Sequence, residues 1–317
     1  MLFSACETDF DVNAEWEETT VVFGLLDASD ENQLQKIKIS KAFLGNMDAY
    51  QMAQYSDSIN YGVDELDVKI YKWDFNQIED SVELIAVPTY RDGEIFYDSI
   101  IVYQFDNVNS FLQKGYEYEL VVKNNKSGNL VSSRTEIVTG FDFDNIFTTK
   151  SKSFQFGLYT NNDFSSSTIT WDDSNDNGKI YQLDLIFHYT EIMDGVYTED
   201  SLIYSLPLID DTESKMKIEG NSFFNFLALN LDKNQSVIRY FNEIDMIMTV
   251  GSEDLETYIN VNKPITGIVQ ERPQFTNINN GIGLFSSRFK KNRFDYDLTS
   301  STLDYLKSVD GLDRNFQ

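Results

Sequence analysis

The 317-residue sequence predicts a mainly β protein: an N-terminal immunoglobulin-like β-sandwich followed by a second β-rich domain with a few short helices. Three observations carry that expectation. Leu66–Trp73 and Lys179–Glu191 alternate polar and apolar residues with the period of two that half-buried strands require. Short runs of this kind recur with turn chemistry between them, as in "RDGE" at 91–94 and "KNNKSGN" at 123–129, where glycine is available for positive φ. Hydrophobic residues make up 41% of the chain, including 24 Phe and 18 Tyr, which is too apolar for a disordered acidic chain.

The strands follow in order. Thr20–Leu26 is a short apolar run, and Gln35–Ser40 alternates. In Leu66–Trp73 the residues Leu66, Val68, Ile70 and Lys72 share one face, opposite Asp67, Lys69, Tyr71 and Trp73. Glu83–Thr89, Ser99–Phe105, Tyr116–Lys123 and Leu130–Val138 complete a set of about seven, the number expected of a sandwich. The polar, aperiodic "TTKSKS" at 148–153 marks a boundary. We therefore divide the chain into a leader remnant and tether (1–16), a sandwich (17–147), a second β-rich domain (148–298) and a C-terminal helix and tail (299–317).

In the second domain the strand candidates are Ser153–Tyr159, Ser167–Trp171, Lys179–Glu191 and Phe241–Val250. The third places Tyr181, Leu183, Leu185, Phe187 and Tyr189 on one face. Helices are few. Asn221 or Ser222 could cap Phe223–Leu231, Ser252 precedes the acidic start of a helix reaching Asn260, and Thr299–Ser308 carries Leu303 and Leu306 inward. No repeat of 20–50 residues suggests a solenoid or propeller.

Charge narrows the partners. The 52 acidic residues outweigh 25 basic ones, giving a net charge of -27, so nucleic-acid phosphates and anionic lipid headgroups are repelled. No stretch approaches the ~20 apolar residues that span a bilayer as a helix. The single cysteine excludes an internal disulfide and a Cys-based zinc cluster, and the single histidine excludes a His-rich metal site.

That cysteine, Cys6, follows Leu2-Phe3-Ser4-Ala5 and precedes the polar, acidic Glu7–Asp11. Apolar residues, two small residues and a cysteine resemble the end of a bacterial lipoprotein signal, with the true start expected upstream of Met1. The following acidic stretch resembles the surface-export tether of Bacteroidota lipoproteins. Cys6 is thus the expected lipid anchor. Acyl chains would hold so acidic a body at a membrane, each buried methylene contributing ~0.8 kcal/mol.

Other chemical candidates are weaker. "DSNDNGKIYQLD" sets Asp173, Asn175, Asn177 and Asp184 at positions 1, 3, 5 and 12 of a calcium-loop template, with Gly178 at the sharp turn. Position 12 is Asp rather than Glu and the flanks read as strands, so a hairpin between Trp171 and Tyr181 fits better. No cofactor is expected beyond that calcium alternative. His188 lies mid-strand with no nucleophile motif beside it, and Gly281-x-Gly283 lacks the rest of a dinucleotide fingerprint. Paired carboxylates for glycoside hydrolysis would arise by chance among so many acids. Arg288, Lys290, Lys291 and Arg293 form a basic cluster that could meet the protein's own acidic surface or an acidic partner.

At Pro264–Phe289, "PITGIVQERPQFTNINNGIGLFSSRF", the chain resembles an uncharacterised family of Bacteroidota outer-membrane lipoproteins that close with a proline-bearing segment, an "NI-NG-GIF"-like stretch and a final basic or polar strand. Val21–Leu26 and Lys114–Ile137 are similar to that family's first strand and to the strand–turn–strand ending its first domain. Genes of such lipoproteins often lie beside TonB-dependent transporters. The resemblance therefore implies a lipid-anchored outer-membrane protein, on the cell surface or the periplasmic face, acting as a non-enzymatic ligand-binding or accessory subunit of such a transporter. It implies no catalytic residue. A structural or adhesin-like surface protein and an extracellular hydrolase are the alternative expectations.

Overall fold

The computed structural model describes residues 19–29, 33–42, 59–90, 99–144, 152–158, 163–172, 177–264 and 274–317. Cys6 and its tether, Asp173, Asn175, the 91–94 turn and most of the 148–153 boundary lie outside the described residues.

The N-terminal half is a β-sandwich. One wall is formed by β1 (Thr19–Asp27), β2 (Leu34–Ala42), β6 (Ser99–Asp106) and β5 (Ile85–Tyr90), paired in the order β1-β2-β6-β5. The other wall is β4 (Gln77–Glu83), β3 (Leu66–Asp74), β7 (Glu117–Asn124) and β8 (Leu130–Glu136), in that order. Read as letters A to G with β4 as C′, these walls are ABED and C′CFG, the immunoglobulin-like arrangement. Alternation drives it: Val22 and Leu26 of β1, Ile37 and Ile39 of β2, Val68 and Ile70 of β3 and Leu120 and Val122 of β7 pack into one core. Tyr118, near the start of β7, donates its hydroxyl to the Phe111 carbonyl (2.8 Å) and accepts the Gln113 N–H (2.7 Å). That bond back across the β6–β7 corner is the tyrosine corner of such sandwiches.

Lys72 faces inward with Leu66, Val68 and Ile70, as its place in the alternation predicts. Its ammonium reaches Gln113 Oε1 (3.0 Å) and sits 3.9 Å from the Tyr116 ring centroid, which compensates for its burial. Glu65, 7% exposed, accepts the Gly62 N–H (3.0 Å) and pairs with Lys126 (2.9 Å) and Lys41 (3.6 Å). Burial pushes its carboxyl up, but the Gly62 N–H and the two ammonium groups together hold it below the usual range. Nearby Tyr103 is pushed up to about 12, by burial first and then by the Glu65 charge.

Expected Glu83–Thr89 is the end of β4 and most of β5, and the chain passes from one wall to the other at Leu84, whose N–H still bonds the Val68 carbonyl (2.9 Å). β4 itself carries no apolar alternation because nearly every residue of it is exposed at a sheet edge.

The second half builds on the same sheet, which continues as β12-β11-β15-β16-β1 through β12 (Val196–Ser205), β11 (Ile180–Met193), β15 (Ile238–Gly251) and β16 (Gly281–Leu298). Tyr181, Leu183, Leu185, Phe187 and Tyr189 of β11 and Ile244, Met246, Met248 and Val250 of β15 form the floor of a second core. Over it lie β9 (Ser153–Phe154), the ribbon of β10 (Ser166–Thr170) with β14 (Lys215–Glu219), and the first and last of the three helices among the described residues. The middle helix buries no residue there and sets Tyr258 against Phe23 of β1 (6.0 Å), and β13 (Ile209–Asp210) pairs with the first two residues of β11. The helices are α1 (Gly220–Asn230), α2 (Glu253–Asn262) and α3 (Ser300–Lys307). Expected Ser153–Tyr159 is a strand only at β9 among its described residues.

α1 starts earlier than the expected Asn221 or Ser222 cap, with Glu219 at its N-cap and Gly220 as its first residue. A Cβ on Gly220 would lie 2.3 Å from the Phe156 carbonyl oxygen, so only glycine lets the helix enter here. Buried Arg239 fastens the C-terminal tail, donating to Glu191 Oε1 (2.7 Å) and to the carbonyls of Asp232 (3.0 Å) and Arg314 (2.8 Å).

β16 joins the two halves. Gly281 to Arg288 pair in parallel with β1, from Thr20 to Asp27, whereas Arg288 to Tyr296 pair antiparallel with β15. Both ladders end on Arg288. Its guanidinium meets Asp27 (Nε–Oδ2 3.0 Å), whose side chain is 2% exposed. Gly283 has φ +118, and a Cβ there would stand 2.0 Å from the Val22 carbonyl oxygen, so the close approach of β16 to β1 requires glycine. Residues on either side of 147 mix between cores: Val138, Phe141 and Phe143 pack in the second, Ile278 and Phe285 in the first.

Candidate functional site

A cleft of about 310 Å³ opens where the two cores meet. Its sandwich wall is Glu117 of β7 with Arg134, Thr135 and Glu136 of β8. The opposite wall is Asn177 and Lys179, leading into β11, with Ser252, Glu253 and Asp254 at the start of α2. A second space of about 160 Å³ shares Glu117, Glu136 and Asn177 and adds Lys114 and Tyr116.

Hydrogen bonds through β16 set the walls. Ser287 donates its hydroxyl to the Glu136 carbonyl (2.7 Å) and accepts the Val138 N–H (2.9 Å). The neighbouring Ser286 hydroxyl shares a 2.5 Å hydrogen bond with that of Ser252. Asn277 donates to Asp254 Oδ2 (2.8 Å) and to the Phe285 carbonyl (2.7 Å), while its oxygen accepts the Phe285 N–H (3.0 Å). The Asn177 amide crosses to the Ile137 carbonyl (3.2 Å). Ser252 is the N-cap of α2 as expected, but its hydroxyl serves the wall rather than the helix. Glu253, Asp254 and Glu256 complement the positive end of the helix instead.

The cleft is acidic. Arg134 is held by Glu117 (3.0 Å) and Glu119 (3.4 Å) and lies 4.4 Å over the Trp73 ring. Lys179 bonds Asp211 (2.7 Å), and that bond, reinforced by the charges of Asp211, Glu253 and Glu256, raises its ammonium above the usual range. Glu136 and Glu253 make no salt bridge with the described residues. A ligand entering here therefore meets carboxylates whose cationic neighbours are already engaged, which suits a cationic or hydrogen-bond-donating group. No Ser–His couple lines the cleft among the described residues: the Ser252 hydroxyl is bonded to Ser286, and His188 is on β11, its Nε2 3.0 Å from Asp245 Oδ2.

The remaining sequence candidates are placed elsewhere. Asp184 is the fifth residue of β11, some 13 Å along an extended strand from its start, and does not fold back toward Asn177 as a twelfth loop ligand must. The expected hairpin between Trp171 and Tyr181 is not formed. β10 pairs with β14, and β11 has its edges taken by β12, β13 and β15, so the two rings stack at 5.2 Å instead. The basic cluster faces the protein's own acids. Arg288 meets Asp27, and Lys291 (3.1 Å) and Arg293 (2.5 Å) both meet Asp142, whose carboxyl they hold below the usual range, the Lys291 hydrogen bond contributing most. The Lys290 backbone N–H bonds the Ser29 hydroxyl.

Sequence reasoning did not single out Arg134, Glu136 or Lys179, because the cleft is assembled from segments near positions 117–136, 177–179 and 252–254 with no common spacing. The acidic start of α2 was the one local signal.

No protein-family model matches the chain, and no curated protein matches it closely. Among solved structures, a chain titled "Cytokine receptor complex - Crystal form 1A" is 11% identical, with 74% of this chain and 86% of that chain covered and a TM-score of 0.20. A likeness at that score decides nothing, and the fold rests on the strand order and the tyrosine corner.

Proposed function

We propose that this protein is a cell-envelope lipoprotein, tethered to the outer membrane through acyl chains on Cys6, that acts as a non-enzymatic binding or accessory subunit of a TonB-dependent transporter. The observation that carries the binding part is the acidic cleft between the cores, of about 310 Å³, with Glu136 and Glu253 at its walls. That volume lies at the lower end of small-ligand sites and also suits a protruding basic side chain of a partner protein. The anchor rests on Leu2–Cys6, the acidic Glu7–Asp11 that follows, and the resemblance of Pro264–Phe289. Labelling with a radioactive fatty acid should mark the wild type and spare Cys6→Ala; equal labelling of both would end the anchor. Affinity purification from intact outer membranes should bring down a transporter, with recovery weakened by Glu136→Lys plus Glu253→Lys. Recovery that ignores both charge reversals would remove the cleft from the reading.

A structural or adhesin-like surface role is the second reading. It draws on β12, an outer strand with Tyr197 73% and Ile203 59% exposed. Retained partner capture after Tyr197→Ser and Ile203→Ser would count against it.

A further inference from the structure

Away from the cleft, the sole histidine meets two carboxylates. His188 of β11 pairs across the sheet with Glu243 of β15, and Asp245 stands two residues further along β15. In a regular strand, residues two apart are separated by about 6.6 Å. Here one ligating atom from each of His188, Glu243 and Asp245 lies within 4.8 Å of the other two. Both ladders of β15 are irregular at this point: the pairing with β11 shifts between His188 and Tyr189, and the pairing with β16 shifts between Ile244 and Met246. Such bulges re-aim side chains. The backbone N–H of Asp295, a non-glycine residue at φ +62, points at Asp245 Oδ1 (3.3 Å), leaving Oδ2 toward His188 Nε2 (3.0 Å).

The charge is unbalanced. Among the described residues neither Glu243 nor Asp245 has a lysine or arginine partner; nearby Arg293 is committed to Asp142. The Asp245 side chain is only 14% exposed. Two carboxylates brought together with an imidazole as their one possible counter-charge repel each other unless a cation joins them.

We infer that His188, Glu243 and Asp245 form a binding site for a first-row divalent transition metal of the zinc type. The donor set decides the class. An imidazole nitrogen with two carboxylate oxygens suits zinc and its neighbours, whereas calcium takes oxygen ligands alone. Zinc–ligand bonds near 2.0–2.2 Å put tetrahedral ligand atoms roughly 3.3 Å apart, so the 3.0 Å His188–Asp245 contact needs little change, and a Glu243 oxygen already lies within 4.8 Å of both. The His188 side chain is 32% exposed, which leaves the fourth position open to water or to a partner's side chain. Asp295 acts behind Asp245, orienting the carboxylate.

Calorimetric titration of chelator-treated protein with zinc chloride, and separately with calcium chloride, tests this. One equivalent of zinc is expected, with no comparable calcium site. His188→Ala and Asp245→Asn should each weaken zinc at least about tenfold, and Glu83→Gln, on the exposed edge strand β4, should leave it unchanged. Cobalt in place of zinc should give a visible ligand-field band that His188→Gln shifts, which also serves if His188→Ala misfolds by far-UV circular dichroism. Absence of zinc uptake, or uptake that survives loss of His188, would overturn the assignment and leave His188 as a hydrogen-bonded strand residue.

Discussion

The two cores are fastened by different means. In the sandwich, two alternating walls close on each other, and a few polar anchors finish the join: the Tyr118 hydroxyl between Phe111 and Gln113, and Glu65 between Gly62, Lys41 and Lys126. The second core has one continuous sheet as floor and short pieces as its roof. There the fastening is aromatic. Phe223 of α1 packs on Phe156 (4.5 Å between centroids), Phe187 (6.0 Å) and Tyr204 (5.9 Å), and Phe187 in turn meets Phe316 of the tail (5.9 Å). Wide rings let a two-residue strand, a helix and a chain end hold the same floor, because each ring spans the gap between elements too short to form ladders of their own.

The sharpest way to break this contrast is Phe223→Ala, which removes the fully buried ring at the centre of that web. It should cost about 3–5 kcal/mol, read as a lower urea midpoint with an unchanged slope. A loss below about 1 kcal/mol would mean that the rings are redundant. Arg288→Gln comes next. It leaves the buried Asp27 carboxylate without its cation at the point where both ladders of β16 end, and should cost about 2–3 kcal/mol. Fluorescence of Trp73 in the sandwich and Trp171 in the second core, read in single-tryptophan variants, should shift together; separate transitions would mean that β16 does not couple the halves. Tyr118→Phe strips the hydroxyl from the sandwich anchor and should cost about 1–2 kcal/mol. The smallest effect is a pH dependence. Because the folded Glu65 carboxyl is held below its usual range, it contributes stability above its unfolded pKa, and that contribution is lost as pH falls through the folded value. The gap in urea midpoint between wild type and Glu65→Gln should therefore narrow from pH 7 toward pH 3, and a constant gap would assign the effect to packing alone.

How much of this could be read in the sequence follows from burial. β3 and β11 alternate because one face of each is inside, and the residues expected to share a face, Leu66, Val68, Ile70 and Lys72 in one and Tyr181, Leu183, Leu185, Phe187 and Tyr189 in the other, are the buried ones. β4 and β12 escaped because both lie at sheet edges with nearly every residue exposed, so nothing imposes a period on their side chains. β14 escaped by brevity, with Met216 and Ile218 as its only buried residues. The cleft depends on which strands neighbour one another, and the His188 cluster depends on two pairing irregularities; single-strand periodicity encodes neither. The basic run at 288–293 was visible as charge, but its partners Asp27 and Asp142 are distant in sequence, the former by 261 positions.

That last separation governs how the molecule comes into being. A chain emerging from the ribosome has β1 long before β16, so the sandwich must wait with one flank bare until residues 281–298 arrive. The same late segment supplies the neighbour of β15 and completes the other core. Maturation is therefore expected to be a single, slow, end-dependent event, as contacts of such span require. A nascent protein halted before position 281 would expose two unfinished sheet edges at once, a form that chaperones and proteases would recognise.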